Sequence, residues 1–270
     1  MQLTKHHGLG NDFLVTFVDE VPERAAALAV ALCDRRTGIG ADGLIFGIDT
    51  GSQPVMRLFN SDGSAAEISG NGMRCFVQAL AMRRSVTALD VEVDTLAGLR
   101  ACSYEATPEP AVGYASVDMG PVTAGDAARD VAFLDDGAGV GASRWAIGAV
   151  GNPHVVLAVE NPDAVDLAAS GPVIESEFPH GVNAHMVAVT GSDELTLRVW
   201  ERGAGITMAC GSGATVSAQR FFEWGEVGDR VVVRMPGGEA TVDVATKERP
   251  TAVLSGATTF VGSVEVPTRG

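Results

Sequence analysis

The chain carries one pattern twice. In EISGNGMRCF, residues 67–76, Ser69 stands before Gly-Asn-Gly and an apolar run; in TMACGSGATV, residues 207–216, Cys210 stands before Gly-Ser-Gly and another. Ser69 and Cys210 are 141 positions apart, and the same offset carries Asn11 onto Asn152, Arg57 onto Arg198 and Asn60 onto Glu201. It also carries Gly40 and Asp42 onto Gly181 and Asn183. One offset kept through separate motifs, with no insertion between them, marks an internal duplication. A duplicated chain of 270 residues must build two like halves, each of ordinary domain size.

Each half reads the same way. A short first strand leads to a Gly-Asn turn. A helix follows in the first half, where VPERAAALAVALCD has Pro22 near its start and an Ala/Leu-rich body. Alternating strands come next, VMRLFN in one half and LTLRVWE in the other. Then come the Gly-x-Gly turn, a second helix, and strands ending in AG or GG turns. The class is α+β, with two pseudo-symmetric halves, each of mostly antiparallel strands wrapped around a central helix, and an active site in the cleft between them. The halves are expected at residues 1–117, rejoined by about 258–270, and at 118–257.

Charge and composition exclude several functions. The formal net charge is −15 with no basic block, which argues against nucleic acid or an anionic membrane as partner. MQLTKHHGLG has no apolar signal core, and no apolar run reaches the length of a membrane span. The four cysteines are widely spaced, with no CxxC, and the five histidines form no HExxH. The expected setting is the cytoplasm, with reduced thiols.

The asparagines are concentrated in the repeat. Five of the six (Asn11, Asn60, Asn71, Asn152, Asn183) lie in the repeated motifs. Tight-turn chemistry accounts for Asn71 between two glycines, but poorly for Asn60 at a strand end. A set of amides offers donors and acceptors without net charge, which suits a zwitterion. Glu201 and Arg202 add one charge of each sign, for an ammonium and a carboxylate. Ser69 and Cys210 would view one ligand from opposite sides, each at a helix N-terminus that favours an anion and lowers a thiol's pKa. His154, in GNPHVV, either tunes a nearby thiol or carboxylate or is a core histidine bonded to backbone. Cys33, Cys75 and Cys102 read as packing residues.

GLGNDF, FNSDGS, GNGMRC, GNPH, ERGAG and ACGSGA, in this order over nearly the whole chain, resemble diaminopimelate epimerase, of the cofactor-independent amino-acid racemase group. ERGAG followed by ACGSG is the specific part of the match. The resemblance implies interconversion of L,L- and meso-2,6-diaminopimelate on the lysine and peptidoglycan route. It implies two lobes that close on the ligand, commonly a homodimer, and neither cofactor nor metal. It implies two facing cysteines, one removing the α-proton and one returning a proton to the other face; Cys210 matches one of them. Asn11, Asn60, Asn152, Asn183, Glu201 and Arg202 match substrate contacts, as do the turns Gly70-Asn71 and Gly211-Ser212. His154 and Glu201 match groups that tune the thiols.

The family has a cysteine where this chain has Ser69. A hydroxyl is far less acidic than a thiol and is a poor base unaided. A cysteine replaced by design, a natural branch using Ser69 or a water it holds, and a relative with altered chemistry all fit. The competing functions are a related amino-acid racemase not using pyridoxal phosphate, a one-base lyase, a non-catalytic amino-acid-binding protein, and a cysteine hydrolase pairing Cys210 with His154. GAGVGA, residues 137–142, reads as a glycine-rich loop rather than a dinucleotide fingerprint.

Overall fold

A computed structural model describes residues 1–267. Residues 268–270, included in the expected first half, lie outside the described residues. The chain forms two compact units, one from Met1–Asp118 rejoined by the chain from Ser255, the other Met119–Leu254.

The first unit runs β1 (Gln2–Gly8), β2 (Asn11–Phe17), α1 (Ala25–Cys33), β3 (Gly43–Ile48), β4 (Val55–Asn60), β5 (Ala65–Ala66), α2 (Gly70–Arg84), β6 (Ala88–Thr95), β7 (Gly98–Ala106) and β8 (Val112–Gly120). The second runs α3 (Val131–Asp135), β9 (Arg144–Val150), β10 (Asn152–Ala158), α4 (Leu167–Ser176), β11 (Asn183–Gly191), β12 (Glu194–Glu201), β13 (Gly205–Ile206), α5 (Gly211–Glu223), β14 (Arg230–Met235) and β15 (Gly238–Asp243). The last strand is β16 (Ala252–Glu265). An offset near 141 matches β1 to β9, α1 to α4, α2 to α5 and β8 to β16. The duplication therefore holds in every major element.

In the first unit the order β1-β2-β3-β4-β6-β7-β8-β16 closes into an eight-stranded barrel, because β16 also pairs with β1. Closure leaves no strand edge for unwanted pairing. In the second unit the order is β9-β10-β11-β12-β14-β15, with β16 beside β15, and Thr123, just past β8, bridges Ala149 of β9. Most pairs are antiparallel, but β2–β3, β4–β6, β10–β11 and β12–β14 are parallel.

These parallel pairs explain a sequence pattern. FLV in β2, LIF in β3, VVL in β10 and NAHMVA in β11 are continuous buried runs rather than alternating ones. α2 and α5 pack on one side of these strands, while α1 reaches β3 and α4 reaches β11. A strand covered on both faces has no solvent side to encode. β4 and β12 alternate, as half-covered strands should.

α2 is buried from Gly70 to Ala81 and α5 from Gly211 to Gln219. A helix buried all round is a core helix, so each unit is filled by its own. The glycine-rich starts are not turns preceding these helices, as their composition suggested. Gly70-Asn71-Gly72 and Gly211-Ser212-Gly213 are themselves the first helical turns, and Ser69 and Cys210 are the N-caps. Asn71 is helical, not left-handed, so the turn explanation for it fails.

Candidate active site

The repeat places its polar residues at one end of each unit's strands. Asn11 opens β2, Gly43 opens β3 and pairs with Asn60, which ends β4, and Ser69 caps α2. In the second unit Asn152 opens β10, Asn183 opens β11, Glu201 ends β12 and Cys210 caps α5. The parallel pairings β2–β3 and β10–β11 bring the two strand starts to the same end.

In the first unit Ser69 Oγ accepts a hydrogen bond from Gly72 N at 3.1 Å. That satisfies one of the unpaired N–H groups of the helix start. Asn71 Nδ2 donates to Asn11 Oδ1 at 3.1 Å, and Asn11 Nδ2 donates to Asp42 Oδ2 at 2.7 Å. Asp42 and Asp12 share Arg35, and Asp12 also meets Lys5 at 2.8 Å. Burial would raise the Asp12 carboxyl, but hydrogen bonds from Arg35 and Lys5 hold it below the usual carboxylate range. Asn60 belongs to a turn after all: its N–H reaches Ser64 O at 2.8 Å and its Nδ2 reaches Ser64 Oγ at 3.0 Å. Its side chain lies on the exposed surface of this unit.

In the second unit Asn152 Oδ1 lies 2.9 Å from His154 Nε2, and His154 Nδ1 lies 2.8 Å from His185 Nε2. Both rings are fully buried. Burial drives His154 well below its ordinary range, helped by His185 and Arg202, and lowers His185 to about 3. Both are neutral imidazoles near pH 7. An amide oxygen can only accept, so His154 carries its proton on Nε2 and accepts on Nδ1 from His185 Nε2–H. His154 is therefore bonded neither to backbone nor, through either ring nitrogen, to the thiol. It fixes Asn152 instead. The Cys–His hydrolase pairing fails for the same reason, since both His154 nitrogens are already engaged. His185 had no signal in the sequence beyond a histidine inside an apolar strand.

Asn183 Nδ2 donates to Pro153 O at 2.9 Å, and Asn183 Oδ1 accepts from Arg202 N at 3.0 Å. The Arg202 side chain is exposed and donates to His180 O. Thr207 Oγ1 donates to Glu201 Oε1. Cys210 is 4 % exposed, and its Sγ lies 3.7 Å from Ser212 Oγ.

The Cys210 thiol contradicts the expectation of a lowered pKa. It is pushed well above the ordinary thiol range, first by burial and then by the Glu201 carboxylate beside it. The N–H of Gly213 and the hydroxyl of Ser212 act in the opposite direction but do not prevail. A helix terminus lowers a thiol where solvent or a cation assists; here desolvation and an anion outweigh it.

The architecture defines a class. Whole-chain likeness to a phenazine biosynthesis protein from Bacillus anthracis has a TM-score of 0.75 at 15 % identity, covering 99 % of each chain. A hydroxyproline epimerase from Agrobacterium vitis gives 0.66 at 17 % identity, covering 98 % of this chain and 91 % of that one. At such identities the likeness is one of fold: duplicated and α+β, with a buried helix in each half.

Sequence comparison is more specific. The family model for diaminopimelate epimerase matches residues 3–124 and 147–261. The diaminopimelate epimerase of Synechocystis sp. is 38 % identical over 268 residues, covering 92 % of both chains. That of Pelotomaculum thermopropionicum is 39 % identical across the full length of both. The chain belongs to the diaminopimelate epimerase family.

Proposed function

We propose that this chain is an isomerase that interconverts L,L- and meso-2,6-diaminopimelate by proton transfer at one α-carbon, in lysine and peptidoglycan biosynthesis. The observation that carries this reading is the matched pair of helix starts. Each half presents a protic side chain, Ser69 or Cys210, as the cap of a buried helix, beside an asparagine whose amide oxygen accepts from a neutral donor. Inversion of one carbon needs a proton taken from one face and returned to the other, and a duplicated fold can supply one group per face.

In this reading the N–H groups of Gly70-Asn71 and Gly211-Ser212 receive the reacting carboxylate as charge builds on it. Asn11, Asn60, Asn152, Asn183 and Arg202 hold the rest of the zwitterion, and Glu201 takes the ammonium. The chemistry asks only for side chains and backbone N–H groups.

The high thiol pKa gives Glu201 a second role. Without ligand, its charge helps keep Cys210 protonated. An ammonium bound to Glu201 neutralises that charge and removes one cause of the upward shift, so substrate prepares its own base. His154 acts one step back, holding Asn152. Ser69, directly or through a water on its hydroxyl, serves the opposite face and is the weaker base. A cytoplasmic homodimer is the assembly this reading assigns.

The test is α-proton exchange in deuterated water with both stereoisomers, on this chain, Ser69→Cys and Cys210→Ser. Cys210→Ser should abolish exchange, and Ser69→Cys should speed epimerisation. If neither this chain nor Ser69→Cys exchanges the α-proton of either isomer, the reading is wrong.

A further inference from the structure

Arg74, the fifth residue of α2, is fully buried, and it heads the largest buried side chains among the described residues. Its Nη2 donates to Asn71 Oδ1, while Nε and Nη1 have no hydrogen-bond partner among the described residues. No carboxylate pairs with it in any ion pair of the described residues. A guanidinium buried without a counter-charge is costly and calls for a reason beyond packing.

The reason lies in the chain of amides it begins. Arg74 donates to Asn71, Asn71 donates to Asn11, and Asn11 donates to Asp42. Guanidinium has only donors and an ionised carboxylate has only acceptors. The two charged ends therefore fix both asparagine amides in one sense, although an isolated amide could face either way. Asn71 must turn its oxygen to Arg74, so its NH2 faces Asn11. Asn11 must then turn its oxygen to Asn71 and its NH2 toward Asp42. One Nδ2 hydrogen of Asn11 is spent on Asp42; the second is what Asn11 has left to offer a ligand.

We propose that Arg74 is a positioning residue that makes Asn11 a pure hydrogen-bond donor, so that Asn11 recognises a carboxylate and rejects an ammonium. This rests on the amino-acid-binding reading of the site given above. The packing supports it. A Cβ on Gly8 would stand 3.2 Å from Arg74 Nη2 and 3.4 Å from Asn71 Cβ, so the end of β1, where Gly8 pairs with Asn11, closes directly over the pair. The other half orients its matching asparagine differently, with His154 donating to Asn152 Oδ1. Both solutions leave the same kind of group, an NH2, for the ligand.

The experiment compares Arg74→Met, Arg74→Lys and the unmodified chain. Without ligand, the side-chain NH2 signals of Asn11 are followed by 1H–15N NMR, assigned by their loss in Asn11→Ala. Arg74→Met should move them and Arg74→Lys should largely restore them, with the urea midpoint of Arg74→Met little lowered, because an unpaired charge has been removed. Calorimetric titration with diaminopimelate should show binding to Arg74→Met weakened on the order of 10- to 100-fold, the scale of a charge-assisted hydrogen bond. In an Asn71→Leu background Arg74→Met should add no further loss. Unmoved Asn11 signals, or an equal loss of binding in both backgrounds, would overturn the proposal. If the unmodified chain binds no diaminopimelate, the assigned substrate is at fault, and the NMR comparison still decides what Arg74 does.

Discussion

Gly213 offers a test in which two ordinary rules predict opposite signs. It is the third residue of α5, where Gly→Ala should stabilise by up to about 1 kcal/mol through helix propensity. But a Cβ there would lie 2.0 Å from His185 Cε1, 2.5 Å from Nε2 and 2.7 Å from Nδ1. Ordinary contact begins at 3.4 Å, so the ring must retreat by about 1.4 Å. It has nowhere to go, being fully buried and bonded at 2.8 Å to His154. Overpacking costs about 1–3 kcal/mol and the lost neutral hydrogen bond about 0.5–1.5 kcal/mol. Set against the propensity gain, Gly213→Ala should destabilise by about 0.5–3.5 kcal/mol, measured as a lower urea midpoint at unchanged slope. In a His185→Ala background the obstruction is gone, and the same substitution should become stabilising by up to about 1 kcal/mol. An equal effect in both backgrounds, or a stabilised single mutant, would refute the argument that α5 begins against the His185 ring.

Three further outcomes follow. Ser69→Ala removes the bond to Gly72 N and should cost about 0.5–2 kcal/mol in urea unfolding, while Ser69→Gly should cost only a few tenths. His6, His154 and His185 are buried and neutral, with His6 lowered to about 4 and His185 to about 3. Their folded pKa values lie below the unfolded ones, so their stability is fully present above about pH 6.5 and is lost on acidification toward the folded values. Urea midpoints should thus fall between pH 7 and pH 5, and His6→Leu should flatten the fall by up to about one proton, or about 1.4 kcal/mol per pH unit. Finally, Cys210 should resist iodoacetamide at neutral pH, and Glu201→Gln, by removing one cause of its raised pKa, should bring its alkylation to lower pH; peptide mass spectrometry separates it from the other three buried cysteines. An unchanged pH profile in Glu201→Gln would argue against the carboxylate as a cause.

Much of this fold was legible because duplication repeats its own evidence: the offset that links Ser69 to Cys210 also locates the strand starts at Asn11 and Asn152. The helix at 25–33 was plain from its composition. Less legible was anything that depends on which side of a boundary a residue falls. Glycine pairs signal turns, yet here they let buried helices begin in close quarters. Ser69 reads as a substituted base at a helix N-terminus, and only the geometry shows its hydroxyl bonded to Gly72 N as a cap. His185 and Arg74 were missed because a histidine in an apolar strand and an arginine in an apolar helix have no local pattern. Their meaning lies in the amides they orient, which are distant in sequence. The Cys210 prediction failed because a helix end is visible in sequence and the depth of burial around it is not.

The closure of the first barrel has a consequence for how the protein is made. β1 pairs with β16, from Gln2↔Glu265 to His7↔Thr259, so β1 waits for a strand made much later in the chain. The second unit is one continuous stretch, from Met119 to Leu254. On a ribosome, that later stretch can gather most of its own contacts while the earlier one still lacks its final stave. Nascent chains usually consolidate from the N-terminal end; this one should do so in reverse. Residues 1–118 should remain open to proteases, and to holding chaperones, until β16 has been made and can pair.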